Sequence, residues 1–187
     1  MGISPDWVVG FVDRAVDGMG AIVRDLGDEL ANQRPDLPGT NSPYAILRHS
    51  LGVMEFWGGQ VVAGRSVARD RAAEFTASGP VADLLSAAGK GKRQFRADAA
   101  AAEPGSPPRG SHPGRRGDEM DLRTQGHALL HVLEEVTQHH GQAELTRDLL
   151  MREGGRVSSG PPGPRPPAPP RPSAAPPPPE GLERCPC

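Results

Sequence analysis

The chain has 187 residues, a net charge of −2 and a pI near 6.3, which lacks the basic footprint of a nucleic-acid binder. Its two cysteines, Cys185 and Cys187, sit one residue apart near the C-terminus, so neither a disulfide framework nor a zinc knuckle is encoded. No apolar run of about 18 residues occurs and no basic stretch precedes an apolar one, so a cytoplasmic protein without a membrane partner is expected.

The first helix opens at Ser4-Pro5-Asp6, a cap, a proline at the first helical position and a first-turn acid. Val8, Val12, Ala15, Met19, Ile22, Leu26 and Leu30 then recur at steps of three or four, and the helix is expected to stop near Arg34-Pro35. A second helix opens at Asn41-Ser42-Pro43 and runs through His49 and Trp57 to about Ala63-Gly64. A third follows Ser78-Gly79-Pro80, with Val81, Leu84, Leu85, Ala88, Phe95 and Ala99 on one face and a solvated run of Lys90, Lys92, Arg93 and Arg96 on the other. From Glu103 to Arg123 the chain is polar and rich in Pro and Gly, which reads as a long crossover loop. The fourth helix is expected from Thr124 to about Glu153-Gly154. No stretch alternates with period two. The expectation is an all-α four-helix bundle with long crossover connections over residues 1–154. Residues 155–187 follow as a tail; from Gly160 onward it holds 13 of the 22 prolines and almost no large apolar residue. Such a segment cannot offset its ordering entropy and is expected to be disordered and polyproline-like.

The fourth helix carries the chemistry. His131, Glu135, His139 and Gln142 follow one another at steps of four, four and three, which puts all four on one helical face. Around them Leu129, Leu130, Val132, Leu133, Val136, Leu145, Leu149 and Leu150 read as core. Carboxylate and imidazole groups turned toward a core are costly without a partner, and a divalent metal ion is an economical one. His49, inside the apolar second helix, supplies a further donor. Two blander readings compete: a lone histidine on an apolar face is usually bonded to a backbone carbonyl, and a polar ladder is often a solvated face. The HExxH pattern is absent, because His131 is followed by Val-Leu-Glu-Glu. A di-iron site needs a histidine three residues after a glutamate, and neither Glu134 nor Glu135 has one. A mononuclear site is therefore expected. Spacing leaves two helix-four pairs open, His131 with Glu135 and Glu135 with His139. His140 is rotated about 100° from His139 and cannot share its ion.

Three segments carry a family likeness: NSPYAILRHSLGVMEFW at 41–57, RDRAAEF at 69–75 and LLHVLEEVTQHHGQAEL at 129–145. Through them the chain resembles the DinB-like metal-binding four-helix bundles, on the branch of the N-terminal domain of mycothiol-dependent maleylpyruvate isomerase. Counting back from Gly141-Gln142, the resemblance implies His49, Glu135 and His139 as metal ligands, zinc or a similar divalent ion as cofactor, and water or thiol in the open positions. It further implies mycothiol or a similar low-molecular-weight thiol, bound to the metal as thiolate nucleophile, and S-transfer to a small electrophile in detoxification. The isomerase has a second C-terminal domain where this chain has its proline-rich stretch, which points to generic thiol transfer rather than isomerisation. The alternative is a non-catalytic, metal-binding stress-response bundle; either reading is compatible with a homodimer. Gln142 is a candidate hydrogen-bond partner of a ligand, and Phe56 and Trp57 are candidates either for the core or for the wall of the site.

Overall fold

Pro5, with Ser4 ahead of it and Asp6 in the first turn, opens helix α1 (Pro5–Ala31) of the computed structural model. The structure describes residues 4–111 and 123–158, with side chains through Arg152. The expected proline-rich tail from Ser159 on, and the centre of the 103–123 connection, lie outside the described residues. Val8, Val12, Ala15, Met19, Ile22 and Leu26 are buried along one face of α1, as their spacing requires. The helix ends at Ala31, before the expected Arg34-Pro35. Its last turn is already interrupted at Gly27, whose φ of 66° no side chain tolerates easily.

Helix α2 (Pro43–Val53) starts at Pro43, with the Ser42 hydroxyl accepting from the Ala45 amide. It continues without a break as a wide π-helical stretch, Met54–Val62, so the predicted second helix is one continuous rod of two geometries. A short helix α3 (Arg71–Thr76), capped by the Asp70 carboxylate on the Ala73 amide, was not expected. Helices α4 (Val81–Ala100) and α5 (Gln125–Ser158) complete the set, and α5 runs past its expected end at Gly154. Among the described residues there is no strand. No described helix is long and apolar enough to cross a membrane.

Side-chain pairings fix the helix directions. Asp28 with the Val81 amide, Asp17 with Lys92 and Asp13 with Arg96 make α1 and α4 antiparallel. Leu51 lies against Gly91 and Phe95 against Gly58, so α2 and α4 run parallel. His49 faces Glu135 and His139, while Trp57 faces His131, so α2 and α5 run antiparallel. The four long helices thus run up, down, down and up. Parallel neighbours require a crossover, and residues 63–80 provide it. That segment bonds to Asp98 near the end of α4 through Arg65, passes His49 at Glu74, and reaches the end of α1, where Asn32 exchanges two hydrogen bonds with the Gly79 backbone. The 103–123 connection, read from sequence as a crossover, instead joins two helix ends that already meet: Gln125 accepts from the Glu103 amide and Gly126 donates to the Pro104 carbonyl.

The core joins all four rods. Met19, Ile46, Leu47, Met54, Leu84, Phe95, Leu129, Val132 and Val136 are fully or nearly fully buried in one cluster. Two leucines of α5 depart from the expectation: Leu145 is 69% exposed and Leu130 36% exposed. The buried stripe of α5 runs through Leu129, Val132, Val136, Ala143 and Leu150. Leu145 lies two residues from Ala143, about 200° around the helix, and so faces outward.

Candidate metal centre

His49 is carried into the interior by the most buried helix of the chain, with only 1% of its surface exposed. Its Nδ1 lies 2.7 Å from Glu74 Oε2. Glu74 is itself 3% exposed and receives Arg69 Nε and Nη2 on its two oxygens, at 2.7 and 2.9 Å. An acid so provided with donors is ionised: burial alone would raise its pKa, but Arg69 and then His49 hold it down at about 2. Nδ1 of His49 must therefore be the donor, which fixes the tautomer and leaves Nε2 with a lone pair. Gly52 makes room for the arrangement, since a Cβ there would collide with the Glu74 carboxylate.

On α5 the ladder lies on one face as expected. His139 Nδ1 lies 2.9 Å from Gln142 Oε1, one turn on. The amide oxygen can only accept, so this histidine too presents a bare Nε2. Glu135 sits between the two imidazoles, its Oε2 3.5 Å from His139 Nε2 and 3.9 Å from His49 Nε2. One donor atom each from His49, Glu135 and His139 lies within 4.8 Å of the others. The imidazoles of His139 and then His49 beside it outweigh burial and keep the Glu135 carboxyl far below the usual carboxylate range. Burial pulls the His49 pKa down, yet Glu135 and Glu74 together leave it raised. Positive charge is wanted at this point, and the donor set of two imidazoles and a carboxylate fits a divalent ion with open positions.

The other histidines divide cleanly. His131 is buried, with its ring edge-on to Trp57 at 4.7 Å and its Nε2 4.0 Å from Glu135 Oε1. Its Nδ1 has no hydrogen-bond partner among the described residues. His140 turns away and packs on Gly18 of α1. His127 is exposed in the first turn of α5. Glu134 is also exposed, bonded to Gln138.

A cleft of about 320 Å³ opens beside two of the three donors, His49 and Glu135, and is lined further by His131, Val53, Phe56, Trp57, Arg69 and Arg71. Phe56 and Trp57 meet edge to face, with centroids 5.2 Å apart. Both rings are half-buried, packed against the core cluster on one side while lining the cleft.

Glu74 and Arg69 are the residues whose roles sequence reasoning missed, although both lie in the quoted RDRAAEF segment. The local signal was a capping aspartate, Asp70, opening a turn with a glutamate four residues on. Its destination, 25 residues back in the chain at His49, is a tertiary contact that no periodicity reports.

A family model described as Mycothiol-S-transferase matches residues 7–151. The chain belongs to that family, which is DinB-like. Neither a curated protein nor a solved structure matches it.

Proposed function

From this membership we propose that the protein is a divalent-metal-dependent S-transferase that joins a mycothiol-type thiol to a small electrophile. His49 Nε2, a Glu135 oxygen and His139 Nε2 would hold the ion, with zinc the best match to two imidazoles and a carboxylate. One observation carries the reading. Both histidines have Nδ1 committed, to Glu74 and to Gln142, which leaves their Nε2 atoms to meet Glu135, and two of these three donors, His49 and Glu135, line an open cleft. A purely structural site would be closed on all sides.

When bound, the ion supplies Lewis acidity that stabilises the thiolate form of the thiol's sulfur. The chain's own residues do the rest. Glu74 and Gln142 keep the two imidazoles oriented, as carboxylate and amide partners of metal-binding histidines do. Phe56 and Trp57 shield one side of the cleft from water, which strengthens charge interactions within it. The family-matched residues 7–151 hold no cysteine, and the reading assigns the nucleophilic sulfur to the small thiol.

The test is thiol-dependent loss of a chromogenic electrophile by metal-loaded protein. Turnover that needs the thiol and disappears with a chelator supports the reading. An ion that raises the melting temperature but gives no turnover with mycothiol or simpler thiols would leave a metal-binding bundle without catalysis, because the ion ties α2 to α5 in either case.

A further inference from the structure

We propose that the cleft selects an electrophile bearing a carboxylate on a flat aromatic body, and that Arg71 recognises the carboxylate. The inference rests on the transferase reading of the metal centre and names the second substrate's class.

Two guanidinium groups line the cleft, in unequal states. Arg69 is spent: Nε and Nη2 both bond Glu74, and the group lies over the Phe56 ring at 5.7 Å. Arg71 stands exposed at the rim, and among the described residues no carboxylate pairs with it. Its guanidinium carbon lies 5.2 Å from the centroid of Phe75, whose ring in turn stacks on His49 at 4.4 Å. The column guanidinium–phenyl–imidazole places a planar cation at most about 10 Å from the His49 ring. That separation suits one substituted benzene ring lying between the sulfur and the guanidinium.

Charge points the same way. Arg69 and Arg71 cancel Glu74 and Glu135 among the side chains of the site. A divalent ion adds two positive charges and a thiolate removes one, so the loaded cleft keeps one positive charge with its planar cation at the rim. A monoanion completes it. The fork of Arg71 matches a carboxylate in two parallel hydrogen bonds, which a lysine could not reproduce. Phe56 and Trp57 line the same cleft with their rings edge to face at 87°, so the guanidinium stands beside an aromatic lining of the kind an aryl body packs on.

The experiment pairs binding with turnover. Trp7→Phe leaves Trp57 as the chain's only tryptophan, so its fluorescence reports occupancy of the cleft without catalysis. Benzoate should bind metal-loaded protein about tenfold tighter than benzamide. Arg71→Ala should erase that preference, and Arg71→Lys should restore only part of it. In turnover with the thiol, chlorodinitrobenzoate should show a KM about tenfold below that of chlorodinitrobenzene. In each case sulfur forms the S–C bond, chloride leaves with the C–Cl electron pair and the thiol proton goes to buffer. Arg71→Ala should equalise the two KM values while its melting temperature stays unchanged. Equal handling of charged and neutral ligands by the unaltered protein overturns the proposal, as does a preference that survives Arg71→Ala. Absence of thiol-dependent turnover with the benzoate preference intact removes the transferase reading and supports a carboxylate pocket at Arg71.

Discussion

Two buried carboxylates are closed by the crossover in almost the same way, yet they serve different ends. Near the foot of α4, Asp98 receives Arg65 Nε at 3.0 Å and Nη2 at 2.9 Å. Halfway up, Glu74 receives Arg69 Nε at 2.7 Å and Nη2 at 2.9 Å. Each acid is at most 4% exposed. Each fork rests on a glycine of the second rod: a Cβ at Gly59 would strike Arg65, and one at Gly52 would strike Glu74. The difference is the third partner. Asp98 takes the Gln94 amide at 3.0 Å, a contact along its own helix. Glu74 takes the His49 imidazole, whose other nitrogen looks into the cleft. The same buried fork is thus a fastener at Asp98 and an orienting device at Glu74. Burial and pairing do not by themselves mark function; what the pair touches next does.

The largest expected effect lies on the functional side of that comparison. His49→Ala, Glu135→Ala and His139→Ala should each abolish stoichiometric binding of the ion, read by elemental analysis after dialysis. His140→Ala should keep it, because His140 packs against α1. Should His131→Ala strip the ion while His139→Ala leaves it, the site would be built on the other pair of the ladder, one helical turn away.

The next pair of variants separates the two acids. Glu74→Gln removes the charge that orients His49 and should weaken metal affinity by roughly 10- to 100-fold, the usual cost of losing such a partner. Asp98→Asn should leave metal affinity unchanged. It should cost about 1–3 kcal/mol by leaving Arg65 on a neutral amide, a melting-point fall of roughly 2–12 °C. The reverse pattern, with affinity falling only for Asp98→Asn, would sink the distinction. Glu74→Gln also lowers stability, so a direct titration of the ion by calorimetry is the measurement that decides.

How much of this was legible beforehand follows from what each feature depends on. Helix starts were readable because Pro5 and Pro43 carry their own geometry, and Ser42 satisfies an amide only three residues away. The ladder on α5 was readable because its face is fixed by helical repeat alone. Spacing alone could not choose between His131 and His139, since both are one turn from Glu135; the family resemblance pointed to His139, and in the structure His49, arriving from α2, groups with Glu135 and His139. The crossover was misassigned for the same reason. Residues 103–123 looked longer and looser than 63–80, but which connection spans the bundle depends on pairings such as Asp28 with Val81 and Arg65 with Asp98. Leu145 misled because it is apolar in sequence while sitting on the wrong side of a stripe that only the packing defines.

A smaller effect is expected from the two glycines beneath the forks. Gly52→Ala pushes on a buried carboxylate held from three sides, whereas Gly59→Ala pushes on the far end of Arg65, a side chain one-third exposed and free to give way. Overpacking typically costs about 1–3 kcal/mol, and the Gly52 variant belongs at the top of that range. It should also lower metal affinity by shifting Glu74 against His49. Gly59→Ala should move the melting temperature by only a few degrees and metal affinity not at all. Equal losses of affinity at both glycines would mean that the two forks are mechanically linked through the crossover rather than independent.

The smallest expected effect, a null one, asks whether anything beyond the bundle supports either fork. Residues after Ser158 contain no side-chain pattern able to join a core, and among the described residues every donor to Glu74 and Asp98 comes from residues 49–94. A chain ending at Ser158 should therefore match the full chain in melting temperature and in bound metal per protein. The two readouts map onto the two regions. A lower melting temperature with metal retained would say that the tail braces the bundle away from the cleft, and a loss of metal with stability retained would place its contact at the Glu74 side. Equality in both confines the fastener and the orienting device to the same four rods and the one crossover that binds them.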